Sequence, residues 1–411
     1  MKKVIYIWLV KLVSRWKRVK DPQAIVYLMS FAGNEHLIKA FADLAKQLGR
    51  NFTVLYLPQC KAAAAKLAAE GIQTIEFTDG FDFVFHKLQL VMQARLLLCD
   101  NYYAFLSGCA FDHQQTHVVQ LWHANGAIKT FGWEELTTAQ RSAADKRRFQ
   151  KVYDQFDEYL VGSKKMAQVF VQSYHVPQTR MNVIGYPRTD ELFDKSWQMQ
   201  VSQNIKRKHP DIVSKEIILY TPTYRENEVD KPVMNLPEDF GQFINRLSGN
   251  QRLIIKLHPH VKAVEKQLKR QLDSDKVIWV DDFRTNDLLL VADRLITDYS
   301  SVIFDYSLLP NAKQILFYCY DYDQYAQRVG IQADFKSWIP GKMVTTTADL
   351  IKKVQQPLEA TDFTQFNQLW NTANDGHATE RVLQTELKYI QNNFKEGDLQ
   401  NAEANYSSGI F

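Results

Sequence analysis

The chain has 411 residues, of which 45% are hydrophobic, and its formal net charge at pH 7 is +4. A single hydrophobic core stops growing near roughly 250–300 residues, so this length predicts two domains. The hydrophobic content excludes a disordered protein. The small charge gives no argument for a nucleic-acid partner, and none is expected.

The four cysteines are Cys60, Cys99, Cys109 and Cys319. They form no C-x-x-C pair, and no cluster of histidines and cysteines has the spacing of a zinc site. Free, partly buried thiols in a reducing compartment are the prediction. The sequence also shows no acidic pair at metal-binding spacing, so neither a metal site nor a cofactor is predicted.

Residues 1–20 carry seven Lys or Arg residues and no acid. On a helical wheel one face is apolar, and it is formed by Ile5, Trp8, Leu9, Leu12, Trp16 and Val19. The apolar run from 4 to 10 is too short to span a bilayer, which needs ~20 residues. Two interpretations stay open: a basic amphipathic helix on an anionic membrane face, which we favour, or a helix packed on the protein's own surface.

From residue 24 onward, short apolar runs alternate with helical stretches. The predicted strands are 24–31, 52–58, 74–78, 95–100, 117–123, 158–163, 182–187, 216–225, 253–259, 277–282, 294–298 and 314–319. Predicted helices include 34–48 and 60–70, and a polar helical tract covers 362–393. Continuous Val, Ile and Leu strands separated by helices indicate parallel sheets that are buried on both faces.

These strands are too many for one parallel sheet, so they predict an α/β protein with two Rossmann-like halves. The segment 195–216 has no strand pattern and marks the divide. The predicted organisation is a membrane-associating helix at 1–20, an N-terminal Rossmann-like domain at 21–195, a C-terminal Rossmann-like domain at 196–395 and a loose tail at 396–411.

Polar side chains follow several strands, where open α/β sheets bind their ligands. In "RLITDYSSVIFDYSLLP" the strand ends at Asp298, and a helix is expected to begin at Val302, with Ser300 or Ser301 as its N-cap. Because Ile303 and Phe304 replace the Glu or Gln of a capping box, first-turn N–H groups remain for a phosphate. An ordinary capped turn is the alternative interpretation.

Two other loops strengthen the phosphate interpretation. Thr223 and Arg225 follow one strand and His258 follows another, and arginine and histidine both donate charge-assisted hydrogen bonds to phosphate oxygens. In the first half, His123 is a candidate general base, since histidine ordinarily titrates near ~6.5. A structural histidine is the alternative at both His123 and His258.

Five segments together resemble the CDP-glycerol glycerophosphotransferase family of wall teichoic acid synthesis. They are "QLWHANGAIKTFG", "GYPRTDEL", "ILYTPTYRE", "LIIKLHPH" and "NDLLLVADRLITDYSSVIFDYSLLP". The segment "WHANGAIK" departs from the W-H-G-T-P-L-K of the polymerases. With the short chain, this departure resembles the primase branch (TagB/TarB-like) more than the polymerase branch (TagF-like).

The resemblance implies a GT-B fold with a cleft between the halves, in which 21–195 is the acceptor domain and 196–395 is the CDP-glycerol-binding domain. It also implies a peripheral enzyme on the cytoplasmic face of the cell membrane. It implies transfer of glycerol phosphate from CDP-glycerol to an undecaprenyl-diphosphate-linked ManNAc-GlcNAc disaccharide, with release of CMP. The family's conserved histidines fall on His123, the base, and His258. Its arginine falls on Arg225 and its serines on Ser300 and Ser301, which with His258 would hold the donor's phosphates.

Further roles are assigned as expectations. Asp298 would orient His258 or bind the glycerol hydroxyls. Thr223 would bind substrate together with the residues that hold the donor's phosphates. Arg188 would contact the donor, and Lys129 would steer an anionic acceptor. The pair Asn125-Gly126 would allow a tight turn close to the ligand.

Several alternatives stay open at this point. The chain could be a poly(glycerol phosphate) polymerase, a ribitol phosphate transferase, another GT-B glycosyltransferase or a non-enzymatic membrane scaffold. A homo-oligomer is possible, and Mg²⁺ could accompany the nucleotide.

Overall fold

The computed structural model of the protein describes residues 2–226, 232–234, 236–258 and 261–391. The predicted tail at 396–411 lies outside this range. The described chain forms two compact units that interleave along the sequence. The first contains residues up to 123, 147–160 and those from 377, and the second contains 124–146 and 161–376.

The first sheet has seven strands in the order β3-β2-β1-β4-β5-β6-β7. Its registered strand pairs are all parallel. The strands are β1 Ala24–Met29, β2 Phe52–Tyr56, β3 Gln73–Glu76, β4 Ala94–Cys99, β5 His117–Gln120, β6 Glu158–Val161 and β7 Met181–Val183.

The second sheet has six strands in the order β12-β11-β8-β13-β14-β15, again with parallel pairs. An antiparallel two-stranded ribbon of β9 and β10 lies outside it. The strands are β8 Glu216–Thr221, β9 Arg225–Glu226, β10 Pro232–Val233, β11 Gln251–Ile255, β12 Val277–Trp279, β13 Arg294–Thr297, β14 Gln314–Tyr318 and β15 Lys342–Val344.

Helices connect the strands, as parallel pairing requires. They are α1 Lys2–Trp16, α2 Glu35–Gln47, α3 Lys61–Ala69, α4 Leu88–Met92, α5 Leu136–Gln140, α6 Ala143–Tyr153, α7 Lys164–Tyr174, α8 Lys195–Lys208, α9 Phe240–Asn245, α10 Lys262–Gln271, α11 Thr285–Leu289, α12 Val302–Tyr306, α13 Tyr322–Arg328, α14 Phe335–Trp338, α15 Thr347–Gln355, α16 Thr364–Trp370 and α17 Ala378–Gln391. Helix α8 lies in the segment for which no strand is predicted.

The prediction of two parallel α/β sheets is confirmed, and every predicted strand is present. The central strands could be predicted because strands that are buried on both faces consist of continuous apolar residues. Strand β13 is buried at all four positions, and β1 at five of six. Both sheets follow the Rossmann strand order, with the second reading 3-2-1-4-5-6 when its own strands are numbered along the chain. The ribbon and the short edge strand β15 were not predicted.

Every predicted strand ends earlier than predicted, and two of these ends bear on the candidate site. Strand β5 ends at Gln120 rather than at 123, because Trp122 adopts a left-handed backbone conformation with φ +61°. The side chain of Gln120 stabilises this bend by accepting a hydrogen bond from the Trp122 backbone N–H at 2.8 Å. Strand β8 ends at Thr221, so the Thr223 segment is a loop. The four cysteines are free and buried.

Helix α1 packs one side against the turn at 104–108. Val10 and Ser14 are fully buried, and the Ser14 hydroxyl donates to the carbonyl of Gly108 at 3.3 Å. The other side of the helix carries exposed apolar side chains at Val4, Ile5, Trp8, Leu12 and Trp16. None of the helices in the described part of the chain combines the length and apolar character that a bilayer crossing needs.

Candidate functional site

The predicted site residues lie in segments that follow strands of the two sheets, and one group of them lies where the strand order of the second sheet reverses. In the second sheet this reversal falls between β8 and β13, which pair directly through Thr221 and Thr297. Thr223 lies in the loop after β8, Arg225 begins the short strand β9, and the loop after β13 begins with Asp298. Ligands of doubly wound sheets bind at this position, beyond the carboxyl ends of the two strands.

Asp298 joins these two loops. Its side chain is fully buried, and Oδ1 accepts hydrogen bonds from the backbone N–H groups of Thr223 at 2.9 Å and Tyr299 at 2.7 Å. Oδ2 accepts from Nη1 of Arg225 at 3.0 Å. Asp298 therefore fixes the shape of the site from beneath, and its burial leaves it no surface on which to bind glycerol hydroxyls.

The guanidinium of Arg225 is held on several sides. Nε and Nη2 donate to the two carboxylate oxygens of Asp321 at 2.7 and 2.9 Å, and Nη1 also donates to the Thr223 carbonyl at 2.5 Å. Tyr325 lies against it, with 4.6 Å between the guanidinium carbon and the ring centroid. Arg225 is thus a fixed positive centre, and a phosphate oxygen would have to share or exchange the contacts to Asp321.

Helix α12 begins at Val302 with Ser301 at the N-cap, as predicted. The Ser301 side chain makes no capping hydrogen bond, and the Ser300 hydroxyl accepts only a long one, 3.4 Å from the Val302 N–H. Both serines are partly exposed. Their hydroxyls are therefore available beside the Asp298 loop.

Asn125, Gly126 and Arg188 pack around helix α12. A Cβ atom added to Gly126 would lie 2.6 Å from the ring of Phe304, so only glycine fits there without displacing that ring. Arg188 pairs with Asp305, with 3.7 Å between Nη2 and Oδ2. Burial raises the pKa of Asp305, while Arg188 and Asn125 oppose that rise. These contacts hold the helix that follows the two serines.

Lys129 and His258 approach the same tyrosine in the second unit. The Lys129 ammonium lies 6.0 Å from the ring centroid of Tyr224, and the His258 ring lies 5.0 Å from it. His258 is exposed, and Lys129 is partly buried. Like these two residues, all the other predicted site residues except His123 belong to the second unit.

His123 belongs to the first unit and is the last residue of that unit's first segment. Its imidazole stacks on Phe31, with ring centroids 4.2 Å apart and planes 12° apart, and it also contacts the Trp122 indole at 4.2 Å. The preceding Trp122 is in the left-handed region, which is strained for a bulky residue. Strain of this kind concentrates at functional sites, and here it sets the direction of His123.

Sequence reasoning missed a second buried carboxylate, Asp100, at the strand reversal of the first sheet. It accepts hydrogen bonds from the backbone N–H groups of Ser30 and Phe31 at 2.7 and 2.8 Å, and from the Tyr103 hydroxyl at 2.8 Å. Burial outweighs these bonds and raises the pKa of Asp100 to about 6. Asp100 thus fixes the loop whose Phe31 supports His123.

Asp100 and Asp298 are equivalent in architecture. Each follows the strand that pairs with the first strand of its sheet, and each binds backbone N–H groups of the loop after that first strand. The shared ending of "LLLCD" and "RLITD" is the pattern in the sequence that marks this equivalence. Asp321, which pairs with Arg225, has no such marker.

Two Rossmann-type sheets with polar loops at both strand reversals define a class of α/β proteins that bind nucleotide-derived ligands. Within this class, the chain matches the model of the CDP-Glycerol:Poly(glycerophosphate) glycerophosphotransferase family over residues 11–388. The chain belongs to this family. It is a transferase of teichoic acid biosynthesis, and the resemblance seen in the sequence is confirmed.

The chain is similar to relatives along most of its length. It is 32% identical to the teichoic acid glycerol-phosphate primase of Bacillus subtilis strain 168, over 89% of this chain and 92% of that protein. It is also 32% identical to the glycerol-phosphate primase of Staphylococcus aureus, over 86% of this chain and 89% of that protein.

Solved structures support the fold. A variant of the wall teichoic acid polymerase TagF superposes with a TM-score of 0.71 at 17% identity, covering 95% of this chain and 96% of that chain. A UDP-GlcNAc 2-epimerase from Neisseria meningitidis gives a TM-score of 0.56 at 13% identity, covering 89% and 100% of the two chains.

Proposed function

We propose that this protein transfers glycerol phosphate from CDP-glycerol to a membrane lipid-linked acceptor, undecaprenyl-diphosphate ManNAc-GlcNAc, and releases CMP. The observation that carries the proposal is the Asp298-centred loop pair at the strand reversal of the second sheet, in a chain that matches glycerol-phosphate primases over most of its length. The acceptor hydroxyl attacks the β-phosphorus of the donor.

The donor's diphosphate is assigned to the second unit. The hydroxyls of Ser300 and Ser301 and the exposed imidazole of His258 supply hydrogen bonds to its oxygens, and Arg225 supplies a fixed positive charge. The loop of Thr223 contributes to the same surface. Stabilising negative charge on the departing CMP in this way lowers the barrier to phosphorus–oxygen bond cleavage.

His123 is assigned as the general base. It takes the proton from the acceptor hydroxyl as that oxygen attacks, and its stacking on Phe31 restricts the ring to one plane. Lys129 attracts the anionic acceptor, and Arg188 acts through Asp305 on the position of helix α12. A GT-B architecture, in which the two Rossmann-type halves serve one reaction, is part of this proposal.

We also propose that the protein works as a peripheral protein on the cytoplasmic face of the cell membrane. The exposed side chains of Ile5, Trp8, Leu12 and Trp16 supply apolar area, and basic residues such as Lys11 flank them. Tryptophan at an interface and lysine near anionic headgroups both favour this location. The buried side of helix α1 keeps the helix attached to the first unit.

The test is an assay of purified full-length protein with CDP-glycerol and a lipid-linked disaccharide. His123→Ala should abolish CMP release while preserving the melting temperature. The matched control is His86→Ala, since His86 lies in the same unit with a side chain that is 74% exposed. Undiminished turnover in the His123 variant would contradict the assigned base.

Product length separates the primase from a polymerase. One added glycerol phosphate supports the proposal, and a long series of additions supports a polymerase. Donor choice is tested by measuring the binding of CDP-glycerol, CDP-ribitol and a UDP-sugar. His258→Ala should weaken the binding of the preferred donor, and unchanged binding in this variant would remove His258 from the donor site.

A further inference from the structure

Three ionisable side chains that the proposed reaction does not use meet inside the first unit. His117 and Glu158 begin strands β5 and β6, and Glu386 lies in helix α17. All three residues are buried, and Glu386 has no exposed surface. His117 and Glu158 lie at the amino ends of their strands, whereas His123 follows the carboxyl end of β5.

The contact of His117 with Glu158 is a hydrogen bond and its contact with Glu386 is longer, but both distances also fit a shared cation. Nε2 of His117 lies 3.2 Å from Oε2 of Glu158 and 3.6 Å from Oε2 of Glu386. One ligand atom from each residue falls within 4.8 Å of the other two. Four donors about 2.1 Å from a tetrahedral zinc ion are about 3.4 Å apart, which is close to both measured distances.

Glu386 carries the argument that a ligand is needed. Neither of its carboxylate oxygens makes a hydrogen bond within the described structure, although the side chain is fully buried. The imidazole can donate only one proton from Nε2, and Glu158 is the nearer acceptor. A buried carboxylate without a hydrogen-bond donor is costly unless a cation or a proton neutralises it.

Neighbouring groups restrict the orientation of the imidazole. The Tyr389 ring stacks on the imidazole, with ring centroids 3.5 Å apart and 9° between planes, and Nδ1 of His117 lies 3.9 Å from Oδ2 of Asp157, beyond hydrogen-bond distance. Metal-binding histidines commonly direct their second nitrogen toward a carboxylate, which fixes the ring. Asp157 is itself held by the Val118 backbone N–H at 2.9 Å.

We propose that His117, Glu158 and Glu386 bind a divalent transition-metal ion. One imidazole and two carboxylates suit a borderline ion such as Zn²⁺, and two negative charges with a neutral imidazole balance its charge. The ion would link helix α17 to strands β5 and β6 and therefore stabilise the first unit. The three ligands are far apart in the sequence, so no spacing motif marks them.

The experiment uses full-length protein stripped with a chelator and dialysed free of it. Zn²⁺ is titrated by calorimetry, and the melting temperature is recorded with and without the metal. Wild type should bind one Zn²⁺ per chain and show a saturable rise of a few degrees in melting temperature. Glu386→Gln should lose both responses, and Glu380→Gln, an exposed position on the same helix, should keep them.

A second measurement, on wild-type protein alone, keeps the proposal testable if a variant fails to fold. Co²⁺ bound to wild type should produce visible ligand-field absorption that Zn²⁺ abolishes. The proposal is overturned if wild type binds no metal with either probe, or if binding persists in both Glu386→Gln and His117→Gln. It is also overturned if Glu386→Gln stabilises the metal-free protein while Zn²⁺ leaves wild type unchanged, since protons would then neutralise the cluster.

Discussion

Replacing Asp298 with Asn tests the assignment of this residue as the centre of the second unit's site. The substitution preserves shape but removes the charge that faces Arg225 across 3.0 Å. The asparagine side chain carries an NH₂ group, which must face either Arg225 or the two backbone N–H groups that donate hydrogen bonds to the Asp298 carboxylate. Either orientation places donors against donors in a fully buried position.

The magnitude follows from these lost contacts. Removing one partner of a buried ion pair costs about 3–5 kcal/mol. Asp321 remains as a second partner for Arg225, so we expect the lower end, about 3 kcal/mol. Domains are commonly stable by about 5–15 kcal/mol, so this loss is large enough to measure.

Urea unfolding followed by tryptophan fluorescence and circular dichroism measures the effect. Asp282→Asn is the control because its ion pair with Lys208 is exposed, and the same change there should cost less than about 1 kcal/mol. The Asp298 variant should also bind CDP-glycerol more weakly, since it loses the bond to the Thr223 loop. A midpoint for Asp298→Asn as close to wild type as that of the control would refute this reasoning.

Three other changes test separate parts of the structure. Gly126→Ala should destabilise the protein by about 1–3 kcal/mol because its Cβ meets the Phe304 ring, and an unchanged melting temperature would contradict that packing. The raised pKa of Asp100, about 6 against an ordinary ~3.9, means that the folded state binds the proton more tightly. The stability that this proton contributes is complete below about pH 4 and is lost as the pH rises through about 6, by roughly 3 kcal/mol. Asp100→Asn should remove that pH dependence in urea unfolding, and an identical pH profile in both proteins would exclude it. Replacing Trp8 and Trp16 with Ser should reduce sedimentation with anionic vesicles at least several-fold, whereas equal sedimentation would assign membrane binding elsewhere.

The parts of the fold that could be predicted are those with strong local patterns. Strands buried on both faces require continuous apolar residues, so β1, β4, β8 and β13 are visible in the sequence. The N-cap at Ser301 could be predicted for a similar reason, since serine before a short apolar run is a local feature. The loops after these strands could be located because polar residues end the apolar runs.

Interactions between distant segments could not be predicted. The role of Gly126 depends on Phe304, and the pairing of Arg225 depends on Asp321. Both partners are brought near by the order of the strands rather than by sequence spacing. The exposure of Trp8 likewise depends on which side of helix α1 packs against the turn at 104–108, which a helical wheel does not specify.

Mass analysis of the product is the most direct test of the central claim. Purified protein is incubated with CDP-glycerol and undecaprenyl-diphosphate ManNAc-GlcNAc, and both the lipid product and CMP are quantified. The account predicts a lipid heavier by one glycerol phosphate, formed in equal amount to CMP. An unmodified lipid, or a product that gains a different group without CMP release, would contradict it.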